Sequence, residues 1–154
     1  MGMVKAHRYE VRTQWLGGRE LTLESRGKPT LRVATPPDFK DGVKGVWSPE
    51  ELLIGSLATC FELTLVAIAD RWHVPLAALE VGATGHIEPM DGTYRFLLIE
   101  LDARLTVDPQ HEQEAHELAV LAKDRCIVGT ALATPVGLNV EIRGRKTAEA
   151  ASVK

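Results

Sequence analysis

The chain has 154 residues, 45% hydrophobic and 25% charged, with a formal net charge of −3. Its 18 basic residues are scattered rather than gathered into a stripe, which argues against nucleic acid or an anionic membrane as a partner and leaves one globular domain with a sizeable core. Two cysteines are too few for a disulfide framework and leave three options: inert core thiols, a metal site or redox chemistry.

The first residues hold no apolar run and no cleavage site, so no secretory signal is expected and the location expected is cytoplasmic. His7–Trp15 alternates, with His7, Tyr9, Val11, Thr13 and Trp15 on one face and Arg8, Glu10, Arg12 and Gln14 on the other. That period of two predicts a half-buried strand. Gly17-Gly18 is a two-residue hairpin signal, and Arg19 heads a second strand through Leu21 and Leu23. A third short strand fits Thr30–Ala34. Pro36-Pro37, Gly42 and Gly45 then make a long irregular loop, of the kind that covers or shapes a site.

Ser48 begins a helix. It can cap free N–H groups, Pro49 suits the first helical position, and Glu50 and Glu51 complement the positive end of the dipole. The apolar body runs through Leu63, Leu65, Val66, Ile68 and Ala69 to Trp72, and a helix apolar nearly all round belongs in an interior. Leu52–Ala69 approaches transmembrane length, but Glu62 near its middle would cost about 2.5–3.5 kcal/mol in a bilayer, so a buried core helix is expected instead. A single chain of this size is short for covering such a helix on every side, which points to a dimer that shares it.

Pro75 helps to end that helix, and Leu79–Ile87 alternates as a strand. Asp91-Gly92 is a strong hairpin turn leading into Tyr94–Val107, where Arg95, Leu97, Ile99, Leu101, Ala103, Leu105 and Val107 share a face. Such a length predicts a bend or bulge within it. Pro109 opens a second helix with Ala115, Leu118, Ala119 and Ala122 at helical spacing, and Cys126 follows its end. Residues 127–133 fit a short helical turn, Leu138, Val140 and Ile142 a closing strand. The expected organisation is one domain over residues 1–145 with a flexible tail over 146–154, α+β, in the order β-β-β-α-β-β-α-β.

Small residues surround Cys60 (Gly55, Ser56, Ala58, Thr59) and leave room beside its sulfur. Cys126 opens the short helical turn, where the dipole and Arg125 would favour thiolate. His111 and His116 are five apart, roughly 140° round a helix, and no Cys-x-x-Cys occurs, so no metal is expected. Glu50 alone reads as a first-turn acid and Arg19 alone as a turn-flanking charge. Beside a reactive cysteine they gain another meaning: a thiolate attacking a peroxide needs a cation, and a carboxylate can hold the guanidinium in place. Ten residues separate Glu50 from Cys60, about 15 Å along a straight helix. Either Gly55 breaks the helix or, as the dimer argument favours, Glu50 of a second chain completes the site.

Pro49-Glu50-Glu51-Leu52-Leu53, Cys60 ten residues after Glu50, and a second Cys ahead of a Leu/Val/Ile strand resemble the osmotically inducible protein C (OsmC) family, which includes the organic hydroperoxide resistance proteins. The resemblance covers nearly the whole chain. It implies an intertwined homodimer of antiparallel sheets around a long buried central helix, with active sites at the subunit interface. It also implies thiol-dependent reduction of organic hydroperoxides without a cofactor. By that match Cys60 is the peroxidatic nucleophile, Cys126 the resolving thiol, and Arg19 with Glu50 the pair that activates Cys60; Arg32 is the other arginine considered. The reductant implied is a dithiol, a lipoylated protein in the hydroperoxide-resistance branch. Many members carry Pro directly after the second Cys, where this chain has Ile127, and Glu62 places a charge close after the nucleophile. Two alternatives are a non-catalytic dimer binding a small apolar ligand and a thiol redox sensor.

Overall fold

The computed structural model describes residues 5–145, and the expected tail over 146–154 lies outside them. The chain divides after Leu52 into two compact units. In the first, β1 (Arg12–Gly17), β2 (Glu20–Glu24) and β3 (Leu31–Ala34) form an antiparallel sheet in that order. The first strand starts at Arg12 rather than His7, because its partner among the described residues, β2, ends at Glu24 opposite Arg12 and leaves the earlier residues without a ladder. It is also not half-buried: Trp15 is 73% and Leu16 55% exposed. The turn falls one residue later than expected. Trp15 pairs with Leu21 and Gly17 with Glu20, so Leu16 is the extra residue of a bulge and Gly18-Arg19 forms the connection.

The loop after β3 closes on itself. Phe39 N–H donates to Pro36 O at 3.1 Å, Gly42 N–H to Phe39 O at 3.1 Å and Val43 N–H to Thr35 O at 2.9 Å. Thr35 N–H donates to Arg19 O at 3.1 Å, which ties the loop to the hairpin turn. The chain then reaches α1 (Pro49–Trp72) through a capping box. Glu51 N–H donates to Ser48 Oγ at 3.2 Å, and Ser48 N–H donates to Glu51 Oε2 at 2.8 Å.

The second unit holds one core. Leu57, Phe61, Leu65, Ile68 and Ala69 of α1 are buried with Ile99, Leu101, Ala103, Leu105 and Val107, and with Ala115, Leu118, Ala119 and Ala122. The helix is therefore buried on one stripe, not all round; Leu63 is 70% exposed. It has the length and mean hydropathy (2.0) of a membrane span, yet its own chain buries only 28% of its most apolar window.

β4 (Leu76–Met90) and β5 (Thr93–Val107) form the long hairpin, turning at Asp91 (φ 50°) and Gly92 (φ 78°), the paired positive φ of a type I′ turn. The expected bulge is at Leu97, which lies unpaired between Leu98 (opposite His86) and Phe96 (opposite Ile87). It shifts the alternation by one, so Phe96 packs against the core while Arg95 and Leu97 leave the face predicted for them. A 3₁₀ turn at Pro109–His111 leads into α2 (Glu112–Arg125), then α3 (Ile127–Ala131) and β6 (Val136–Gly144). The last strand runs parallel to β5, from Ile99↔Val136 to Val107↔Gly144, so this sheet is mixed rather than antiparallel. The physical reason is the connection: α2 and α3 make the helical crossover that a parallel pair needs. The fold is α+β, with α3 added to the expected order.

Candidate active site

α1 places Cys60 half-buried at the edge of its core stripe, packed against the core, and the α2–α3 junction places Cys126 fully inside. Cys126 is extended (φ −67°, ψ 112°) and caps α3, its Sγ accepting from Gly129 N–H at 3.3 Å. The two thiols, 66 residues apart in sequence, sit close enough to shift each other's protonation, and the Cys126 thiol also donates to Leu57 O at 4.0 Å. Cys126 also lines a cavity of about 270 Å³ with Leu57, Leu101, Thr134 and Val136.

Their protonation differs. Burial pushes the Cys60 thiol up, but the N–H of Val128, the Cys126 thiol, the N–H of Ile127 and the Thr64 hydroxyl outweigh it and hold Cys60 below the usual thiol range. The Thr64 hydroxyl has one proton and already donates to Cys60 O at 2.7 Å, so its help to the sulfur is shared. Burial likewise pushes Cys126 up; Gly129 N–H opposes this, but the neighbouring Cys60 reinforces it, and the net shift is upward. The thiolate-favouring role expected for Cys126 at a helix start is thus reversed: burial, reinforced by the neighbouring Cys60, outweighs the N–H groups of Gly129 and Val128. Ile127 is one of the donors to Cys60. At the first position of α3 it supplies an N–H that Pro could not.

Cys60 opens onto a cleft of about 610 Å³ lined by Thr59, Leu63, Thr64, Ala67, Ile68, Arg71 and Arg125. Of the small neighbours expected to make room, only Thr59 lines it. The α1 residues fall at −1, +3, +4, +7, +8 and +11 from Cys60, one face of a helix. Arg71 was therefore legible from spacing; Arg125 needed the fold.

Arg19 and Glu50 line a different pocket, of about 380 Å³, with Thr35, Pro36, Phe39, Lys40 and Pro49, so the loop shapes a pocket as expected. Glu50 Oε2 is buried without a hydrogen-bond partner among the described residues. A buried carboxylate oxygen left unpaired is costly and calls for a cation. Arg19 and Lys40 are the cations lining that pocket. Arg32 is committed elsewhere, ion-paired with Glu20 between β2 and β3. Gly55 does not break α1, so that route from Glu50 to Cys60 is closed. Among the described residues, no three His, Cys, Asp or Glu side chains are placed to hold a metal ion.

The family model for OsmC-like protein matches residues 42–141. The uncharacterized protein YmaD of Bacillus subtilis is 27% identical over 141 residues, spanning 88% of this chain and 93% of its own. An OsmC-like protein of unknown function from Vibrio cholerae superposes with a TM-score of 0.79 at 16% identity, covering 88% of this chain and 99% of its own. An organic hydroperoxide resistance protein, OsmC, from Legionella pneumophila gives 0.73 at 20% identity, covering 90% and 98%. At these identities the structural likenesses establish the fold.

Proposed function

Since the chain belongs to the OsmC-like protein family, we propose that it is a thiol peroxidase that reduces organic hydroperoxides. The observation that supports this most is the pairing of a Cys60 thiol held below the usual range with a buried Cys126 close enough to act on it. The Cys60 thiolate attacks the outer peroxide oxygen and the O–O bond breaks; the alkoxide takes a proton and leaves as the alcohol, and Cys60 becomes a sulfenic acid. The Cys126 sulfur then attacks the Cys60 sulfur. A disulfide forms, and the sulfenic hydroxyl leaves with the Cys126 proton as water. An external dithiol reduces the disulfide by two exchanges and is itself oxidised to a disulfide.

Arg19 and Glu50 would come to Cys60 as a pair from a second copy of the chain. Three observations support this: α1 is unbroken between Glu50 and Cys60, Glu50 Oε2 lacks a partner, and Leu63 and Val66 of α1 lie uncovered. In such a homodimer the Arg19 guanidinium would polarise the peroxide and Glu50 would orient it.

The test is turnover of cumene or t-butyl hydroperoxide with dithiothreitol or dihydrolipoamide, comparing wild type with Cys60→Ser and Cys126→Ser. The expected result is turnover that falls to background in Cys60→Ser and a Cys60 sulfenic acid that accumulates in Cys126→Ser. No peroxide loss above the Cys60→Ser background would overturn the enzyme reading. Slow turnover with a long-lived disulfide would favour a redox sensor.

A further inference from the structure

We propose that the external dithiol enters by the cavity of about 270 Å³ beside Cys126 and attacks the Cys126 sulfur of the Cys60–Cys126 disulfide, leaving the Cys60 cleft to the hydroperoxide. The cavity and the cleft share no lining residue: Cys126 lines one and Cys60 the other. The Cys126 sulfur lies at the cavity wall, since both of its partners line that cavity. Gly129 N–H donates to the sulfur at 3.3 Å, and Leu57 O accepts from it at 4.0 Å.

Thiol–disulfide exchange is directional. The incoming thiolate approaches one sulfur in line with the S–S bond, from the side away from the sulfur that leaves. A space that meets Cys126 without meeting Cys60 gives that approach to Cys126. Leu57, Leu101 and Val136 make its wall apolar, and Lys123 with Asp124 adds one charge of each sign, which suits a neutral aliphatic arm. At about 270 Å³ it falls under the roughly 300–1,000 Å³ that hold a whole drug-sized ligand, so it takes the sulfur-bearing end of a longer molecule.

The leaving group agrees with this direction. Attack at Cys126 breaks the S–S bond and sends the electron pair to Cys60, whose thiolate the N–H groups of Val128 and Ile127 stabilise. Attack at Cys60 would expel Cys126, which burial makes the poorer leaving group. The second thiol of the reductant then gives up its proton and attacks the reductant's own sulfur in the mixed disulfide. The reductant departs as a cyclic disulfide, oxidised, and the released Cys126 sulfur takes up a proton as a thiol.

This assignment rests on the Cys60–Cys126 disulfide of the proposed cycle, but its test needs no peroxide. The full chain is oxidised with diamide, opened with the neutral monothiol 2-mercaptoethanol and quenched in acid at successive early times. Peptide mass then reads which cysteine carries the added thiol. The first mixed disulfide is expected on Cys126, with Cys60 free. Gly129→Ala gives a second reading. Its Cβ would stand 3.5 Å from Cys126 Sγ and 3.4 Å from Leu57 Cδ1, ordinary contacts that the packing accepts, yet it covers the sulfur on the cavity side. Dihydrolipoamide is expected to reduce the oxidised variant about tenfold more slowly than wild type. Ala67→Leu, which fills the Cys60 cleft instead, is expected to leave that rate as it is.

A first mixed disulfide on Cys60, a reduction slowed by Ala67→Leu rather than Gly129→Ala, or no disulfide with diamide would overturn the assignment. Opening at Cys126 in a protein that turns over no peroxide would keep the entry route and remove the peroxidase reading. Peroxide turnover with opening at Cys60 would do the reverse, so the two fail separately.

Discussion

Cys60 and Cys126 sit close enough to act on each other, and burial pushes both thiols upward, yet Cys60 ends below the usual range and Cys126 above it. The difference lies in the donors. Four groups converge on Cys60: two backbone N–H groups of α3, the Cys126 thiol at the α2–α3 junction and the Thr64 hydroxyl of α1. Cys126 has the N–H of Gly129 and Val128 and then faces the developing charge of Cys60. Burial raises both, the fully buried Cys126 with fewer donors to answer it, and the N–H, S–H and O–H bonds around Cys60 carry that thiol the other way. Such sorting gives the two thiols separate tasks, one ready to attack and one holding its proton until it is needed.

Removing the donors one at a time tests this contrast. Cys126→Ala takes away both the S–H donor and the resolving sulfur. Alkylation of Cys60 at neutral pH should slow roughly three- to tenfold, while Cys126→Ser, whose hydroxyl can still donate, should lose less. The rate of Cys60 carboxamidomethylation against pH reads both. Ile127→Pro deletes one N–H without disturbing the helix start, since Pro is favoured at a first helical position and Cys126 already has the extended conformation that precedes Pro. It should move the thiolate absorbance midpoint upward and slow alkylation about threefold. An unchanged midpoint would show that the Ile127 N–H does not reach the sulfur. Thr64→Val should slow alkylation by less than about twofold, because that hydroxyl is shared with the Cys60 carbonyl.

The smallest effect is on stability. A thiol whose folded pKa is lowered adds stability above the ordinary thiol range and loses it as pH falls through the folded value; a raised one adds stability below that range and loses it as pH rises. At alkaline pH Cys60 and Cys126 therefore oppose each other. Melting temperature against pH should fall more steeply above neutrality in Cys60→Ser than in Cys126→Ser, and equal slopes would contradict the opposed shifts.

Much of the scaffold was legible locally. Ser48, Pro49 and Glu51 announce α1, Asp91-Gly92 announces the long hairpin, and Ala115, Leu118, Ala119 and Ala122 mark the buried side of α2, because caps, turns and helical stripes are written in neighbouring residues. The nearness of Cys60 to Cys126, and the reach of the Ile127 and Val128 N–H groups to the Cys60 sulfur, depend on how α1 and α3 pack. No spacing encodes that. The parallel pairing of β6 was hidden for the same reason: its alternation fits either direction.

The bulge at Leu97 has a consequence beyond the shape of the hairpin. With perfect alternation, Leu97 and Arg95 would follow Ile99 onto the core face, and a guanidinium would be driven into an apolar interior. One unpaired residue instead sends Phe96 inward, and its ring lies so close over Gly85 that a Cβ there would stand 2.6 Å from it. A bare backbone on one strand and an aromatic ring on the other act as a steric gauge for the pairing. A slip of β5 along β4 by one or two residues would bring a side chain under the ring, so the alignment of the hairpin is held at Gly85, where β4 offers only space.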